Sequence, residues 1–249
     1  MSIGSETAKS GYKTEVLFAN LINNNEQFNC AIKKFLNVNE NVKLFAEVLT
    51  GVQKGDVELS LNNGQAFQVS VKKSTADFSQ LDRRWLSSLK SALNVPDNIT
   101  NEIQEGLDSM RLKTGEKRLI LTKYESDIIK YFQNNINIFM DEMFTRQNPI
   151  VSLFVVYDSN LKTWYILNMK DVLTFTSNQT VSVSNKGVLK LGDYITMQRK
   201  GGDGNVTRVP KTDPTHPSNQ LQVKIKPLKI VENLDPMKIY PIAWTYENE

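Results

Sequence analysis

The chemistry-bearing residues of this chain fall in two short stretches. Gly55-Asp56-Val57-Glu58 runs through an Asn62-Asn63-Gly64 turn into Phe67-Gln68-Val69-Ser70-Val71-Lys72-Lys73. Carboxylates, an amide, a hydroxyl and an ammonium gathered at the end of a hairpin can hold a divalent cation against a phosphodiester. Much later, Gln198-Arg199-Lys200-Gly201-Gly202-Asp203 sets two cations and an acceptor on a strand and tight turn, a shape suited to DNA. Together the stretches point to a DNA endonuclease that reads sequence.

Hairpin geometry turns the spacing into a site. With Asn62-Asn63-Gly64 as a three-residue loop, glycine takes the left-handed position and Leu61 pairs with Gln65. Asp56 then falls opposite Ser70, and Glu58 opposite Gln68. Side chains alternate, so Asp56 and Glu58 share a face with Gln68, Ser70 and Lys72, while Lys73 points the other way. Cross-strand neighbours lie about 4.5–5.5 Å apart. Oxygen donors of this kind suit Mg²⁺, which keeps waters and binds a substrate phosphate. Lys72 can orient the attacking water or offset developing charge. On its own the same hairpin also reads as a solvent-facing polar strand, and Gly201-Gly202-Asp203 as a plain turn.

In the second stretch, Arg199 or Lys200 can donate two hydrogen bonds to guanine, and Asp203 can accept from cytosine. Neighbouring lysines bind phosphate, which positions the protein without specifying bases. Charge supports this placement. The whole chain carries only +3, yet residues 186–230 hold nine basic against three acidic side chains. The basic excess thus coincides with the Arg199-Lys200 segment.

Periodicity predicts helices over 14–24 and 26–36, a strand over 42–49, and a helix from about Asp77 to Leu93. That last helix has Phe78, Leu81, Trp85, Leu89 and Ala92 as one stripe, and Gln80, Arg83, Arg84 and Lys90 opposite. A short strand is expected at 119–121 and a long helix from Ser126 to Phe144. After Pro149 the pattern turns to strands at 150–157, 164–169, 180–184, 194–200 and 221–226. The proline-rich segment 209–219 is read as the loop between the last two. The expected division is a catalytic domain at 1–148 and a strand-rich DNA-recognition domain at 149–249. The fold class is α+β, with a mixed sheet flanked by helices.

Composition narrows the alternatives. Apolar content of 40% sustains a packed core. One cysteine and one histidine exclude an internal disulfide and make a zinc cluster of these residues untenable. No run approaches the roughly 18 apolar residues of a membrane span. Met1 to Lys13 lacks the hydrophobic segment of a signal peptide, so a cytoplasmic protein is expected.

Aspartate, hairpin, then acid-or-amide-x-lysine resembles the PD-(D/E)XK nucleases. More closely, the chain resembles the small type II restriction endonucleases grouped around HhaI, which cut GCGC, and more distantly the CCGG cutter MspI. The blocks that carry the resemblance are Glu6–Glu15, the hairpin, Phe78–Trp85, the helix after Glu125, Tyr194–Asp203 and Asn219–Pro227. It implies Mg²⁺-dependent cleavage of double-stranded DNA at a short G·C-containing palindrome. It also implies a DNA methyltransferase as genetic partner, and a monomer or weak dimer. Asp56 matches the metal-binding aspartate and Gln68 the acid-or-amide position. Ser70 then stands where the lysine is expected, with Lys72 two residues on, and Ser70-Val71-Lys72 is itself a variant of the motif's second half. Glu15 adds an outer carboxylate. Gln80 and Arg83 match a segment that approaches DNA. Gln198, Arg199, Lys200, Gly201, Gly202 and Asp203, with Gln220, Gln222 and Lys224, match the sequence-reading strands. A methylation-dependent nuclease, a catalytically dead DNA-binding protein and a structure-directed repair nuclease stay open as alternatives.

Overall fold

Alternation along the two hairpin strands decides which way they face. Val57, Leu59, Val69 and Val71 enter the core, leaving the polar residues between them on the other side. The computed structural model describes residues 3–50, 55–74, 78–202 and 208–244, with side chains from Lys9 onward. In chain order come α1 (Ile3–Asn24), α2 (Glu26–Phe35), β1 (Leu44–Val48), β2 (Val57–Leu61), β3 (Ala66–Ser74) and β4 (Ser79–Arg84). Helices α3 (Leu86–Leu93), α4 (Asp97–Leu112), α5 (Glu125–Asn134) and α6 (Ile136–Thr145) follow. Then come β5 (Val151–Asp158), β6 (Thr163–Asn168), α7 (Met169–Ser177), β7 (Val181–Val183), β8 (Leu189–Leu191) and β9 (Ile195–Arg199). The chain continues through β10 (Leu221–Ile225), α8 (Pro227–Asn233) and β11 (Ile239–Ala243).

Two compact units result. The first takes Met1–Ser79, Phe144–Leu173 and Pro227–Glu249; the second takes Gln80–Met143 and Thr174–Lys226. Each therefore draws on both sides of position 148, where the change of texture suggested a boundary. The reason is strand pairing: β5 runs parallel to β3 in the first unit's sheet, while β4 joins the second unit's sheet.

The first unit has a six-stranded sheet in the order β1-β2-β3-β5-β6-β11. Only β3–β5 is parallel, so the sheet is mixed, and the α+β architecture expected from sequence is present. Helices α1 and α2 bury Phe18, Ile22, Phe28 and Ile32 against Val57, Leu59, Val69 and Trp164. Each such side chain contributes roughly 1.5–3 kcal/mol on leaving water. Asn25 caps α2 by accepting from Phe28 N at 2.8 Å, which ends α1 and restarts the helix. Asn23 exchanges both amide hydrogen bonds with Ala46 (2.7 and 2.8 Å), pinning α1 to β1.

The second unit has a five-stranded sheet in the order β4-β10-β9-β8-β7. Leu189, Leu191, Ile195, Met197, Leu221, Val223 and Ile225 form its buried face. Here two expectations change. Residues 79–84 are a strand, not the start of a helix, and Phe78 is 38% exposed, outside any buried stripe. Helical spacing of apolar residues was satisfied by chance; pairing with β10 and the half-buried Arg84 between the buried Asp82 and Glu142 hold the segment extended. The helix begins only after Trp85, whose ψ is 152°. The second change is at Asn135 (φ −118°, ψ 17°), which divides the expected 126–144 helix into α5 and α6. Residues 119–121 are buried without forming a strand, and α7, β8, α8 and β11 are elements that periodicity did not reveal.

Candidate functional site

The hairpin forms in the expected register. Val57 faces Val69, Glu58 faces Gln68, and Leu61 N donates to Gln65 O at 2.8 Å. Gly64 closes the turn at φ +88°, a conformation that a β-carbon disfavours. Extended by one pair, this register sets Asp56 against Ser70.

Three donors meet one oxygen of Asp56. Its Oδ2 accepts from Val71 N at 2.7 Å, from Lys72 Nζ at 3.0 Å and from Ser70 Oγ at 3.3 Å. The backbone donor fixes the carboxylate's orientation, and the ammonium neutralises it. Lys72 Nζ also donates to Val71 O at 3.0 Å, so its ammonium is held by two acceptors. The pair is half-shielded: the Lys72 side chain is 14% exposed and that of Asp56 24%. Ser70 is buried at the middle strand of the hairpin and β5.

Glu15, on α1, adds a second carboxyl to this neighbourhood. Burial raises its pKa above the ordinary value, the Asp56 carboxylate raises it further, and the Lys72 ammonium opposes both. Gln68 sits one pair along the hairpin, where its amide donates to Glu58 Oε2 at 3.4 Å. It also lies against Gly55, where an added β-carbon would come within 2.8 Å of the Gln68 β-carbon. Lys73 faces away, as alternation requires, and its Nζ donates to Ser10 Oγ at 3.3 Å.

The donors near Asp56 are oxygens: two carboxylates and a hydroxyl. Two crowded carboxylates, one of them driven toward its protonated form, make a site that a divalent cation relieves, and hard oxygen donors fit such an ion. Among the described residues no group of three or more His, Cys, Asp or Glu could hold a metal, so waters and a phosphate would have to complete the coordination.

The residues expected to approach DNA gather in the second unit. In the β9–β10 ladder Gln198 is opposite Gln222, and Thr196 opposite Lys224. Gln222 Nε2 donates to Gln80 Oε1 at 3.0 Å across to β4. Alternation therefore puts Gln80, Gln198, Gln222 and Lys224 on the polar face, and Lys200 continues its parity. The Lys200 pKa is lowered by burial and then by the Arg83 guanidinium. Finding Gln80 on a strand is what makes this row possible; on a helix it would have had no ladder partner.

Arg199 has the opposite parity. Its guanidinium donates to Asn219 Oδ1 (2.6 and 3.1 Å) and to Ser218 Oγ (3.3 Å), bracing the segment just before β10. Burial, then the Arg111 guanidinium, lowers its pKa. Gly201 and Gly202 follow at φ +61° and +76°, a left-handed turn. Asp203 lies outside the described residues. Sequence reasoning missed Ser218, Asn219 and His216 as partners of the Arg199 turn; only the proline-rich composition of 209–219 marked the segment as a loop.

A family model described as R.HinP1I restriction endonuclease matches residues 37–231 of the chain. No curated protein is matched. Among solved structures, the chain is similar to restriction endonuclease MspI, crystallised in complex with its cognate DNA. That similarity has a TM-score of 0.48 at 10% identity and covers 80% of this chain and 77% of the other.

Proposed function

The chain belongs to the R.HinP1I restriction endonuclease family, and from that premise we propose that it hydrolyses double-stranded DNA with Mg²⁺ at a short G·C-containing palindrome, GCGC, using the Asp56–Lys72 site. Membership makes it a site-specific deoxyribonuclease acting on DNA. Restriction endonucleases of this kind generally use divalent metal ions. The observation that carries the site assignment is the convergence of Val71 N, Lys72 Nζ and Ser70 Oγ on Asp56 Oδ2.

In this reading Asp56 and Glu15 hold the cation. A bound Mg²⁺ supplies Lewis acidity at the scissile phosphate and a more acidic water. The rest is done by the chain. Val71 N fixes the Asp56 carboxylate so that no reorientation is needed when DNA arrives. Lys72, already held beside that carboxylate, offers its ammonium to the charge that develops on the phosphate and orients the water. If Ser70-Val71-Lys72 is the motif's second half, Ser70 takes the acid-or-amide place that Gln68 otherwise matches and contributes a hydroxyl; Gln68 keeps the hairpin packed beside Glu58.

The polar face of the second unit's sheet reads the site. Lys200 donates to guanine, the Gln198 and Gln222 amides can donate to guanine O6 or N7 or accept from cytosine N4, Lys224 and Arg83 bind phosphate, and Arg199 sets the turn that carries Gly201 and Gly202. A methyltransferase protecting the same sequence is the expected genetic partner. The functional division then follows the two compact units, with every proposed catalytic residue in the first and every proposed DNA-reading residue in the second. Incubating purified protein and Mg²⁺ with unmethylated and methylated plasmid tests the proposal. Discrete fragments ending at GCGC, blocked by methylation, support it; uncut plasmid, cutting only of methylated DNA, or fragments from another sequence contradict it.

A further inference from the structure

His216 is the one histidine of the chain, and it is 2% exposed. A histidine so buried, in the second unit, calls for a structural reason. Its Nδ1 accepts from Ser218 N at 3.1 Å and lies 2.8 Å from Ser218 Oγ. A nitrogen that accepts from a backbone N–H carries no proton, so the Ser218 hydroxyl donates to it and the ring proton sits on Nε2. Ser218 Oγ in turn accepts from Arg199 Nη2 at 3.3 Å. The bonds thus run in one direction, from Arg199 through Ser218 to His216.

The backbone is tied to the same relay. Gly201 N donates to Ser218 O at 3.1 Å and Lys200 N to Gln220 O at 2.8 Å. Asn219, which takes two bonds from Arg199, is itself fixed by donating to Asp213 O at 2.7 Å. Ser218 is 1% exposed, so water does not compete for these bonds.

We propose that His216 is a positioning residue for sequence recognition. Neutral and protonated on Nε2, it fixes Ser218, Ser218 fixes the Arg199 guanidinium, and the Lys200–Gly202 turn is thereby held in the orientation that meets DNA. The proposal rests on the reading above that this turn faces DNA. His216 touches no base or phosphate itself; it sets where the turn stands.

Four variants of the full chain test this: His216→Asn, His216→Phe, Ser218→Ala and Lys200→Ala. Asparagine places Oδ1 near the position of Nδ1 and can still accept from Ser218 N, whereas phenylalanine fills the space without an acceptor. Nitrogen–proton NMR of the wild-type imidazole should show the Nε2–H tautomer. The decisive quantity is the ratio of cleavage rate at the preferred site to that at sites with one base changed. His216→Phe should lower this ratio by about tenfold or more, the size of one lost base contact, and His216→Asn should restore most of it. Ser218→Ala breaks the link without touching the ring, so it should also lower the ratio even if His216→Phe fails to fold. Lys200→Ala should weaken DNA binding directly. An Nδ1–H tautomer overturns the proposal. So does an unchanged ratio in Ser218→Ala alongside weakened binding by Lys200→Ala, with the DNA-facing turn left standing. If Lys200→Ala is silent as well, the DNA-facing turn is wrong and the proposal falls with it.

Discussion

Lys72 Nζ lies 3.0 Å from Asp56 Oδ2, across a hairpin whose register follows from its turn. The contact joins the cation and the anion that the proposed chemistry needs, and Val71 N holds the same oxygen at 2.7 Å. Replacing Asp56 by Asn keeps the shape and removes the charge. Cleavage should fall below detection while binding to preferred DNA in Ca²⁺ stays close to wild type. Cutting at near wild-type rate by Asp56→Asn would remove this carboxylate from the site.

Glu15 gives a pH test. Its folded pKa is raised above the ordinary 4.5, chiefly by burial and then by Asp56. A raised carboxyl favours folding below its unfolded pKa, and that contribution is lost as pH rises through the folded value. At neutral pH the charged Glu15 therefore opposes folding in the absence of metal. Glu15→Gln should raise the Tm of metal-free protein near neutrality and lose that advantage as pH falls below 4.5. It should also weaken metal-dependent cleavage. An unchanged or lowered Tm at neutral pH would contradict the electrostatic reading.

On the proposed reading face, two kinds of contact can be told apart. Gln222→Ala should cost about 1–3 kcal/mol of discrimination at one base position. Lys224→Ala should weaken binding to all sequences alike and flatten the salt dependence by about one unit. Binding isotherms on preferred and random duplexes at several salt concentrations check both. A uniform loss from Gln222→Ala would move the base contact elsewhere.

Arg84 anchors the strand that was expected to be a helix. It donates to Asp82 and, at 2.6 Å, to Glu142 Oε1, and its side chain is 11% exposed. Arg84→Ala takes the cation away from two buried carboxylates and should cost about 3–5 kcal/mol of stability, read from denaturant midpoints. A loss under about 1 kcal/mol would be the size of an exposed pair instead.

The hairpin was legible because everything that fixes it is local: a three-residue turn with glycine in place, then alternation. Asp56, Ser70 and Lys72 follow from counting outward from Gly64. The Asp77–Leu93 reading failed for the opposite reason. Leu81 and Trp85 have helical spacing, but Ser79–Arg84 is paired with β10, far along the chain, and no local pattern announces a partner so distant. The same non-local pairing explains why Gln80 and Gln222 meet, and why β5 joins β3 across a boundary that composition seemed to draw. His216 and Ser218 were invisible because the proposed role depends on Arg199 reaching Ser218 from a neighbouring strand.

The most direct test of the Asp56–Lys72 site compares two adjacent lysines in single-turnover cleavage of unmethylated duplex DNA with Mg²⁺. Lys72 reaches Asp56 at 3.0 Å, whereas Lys73 reaches Ser10 Oγ at 3.3 Å. Lys72→Ala should fold, bind DNA and fail to cut, and Lys73→Ala should cut at close to the wild-type rate. A Lys72→Ala enzyme that still cuts, or a folded Lys73→Ala enzyme that does not, would contradict the register on which the site is built.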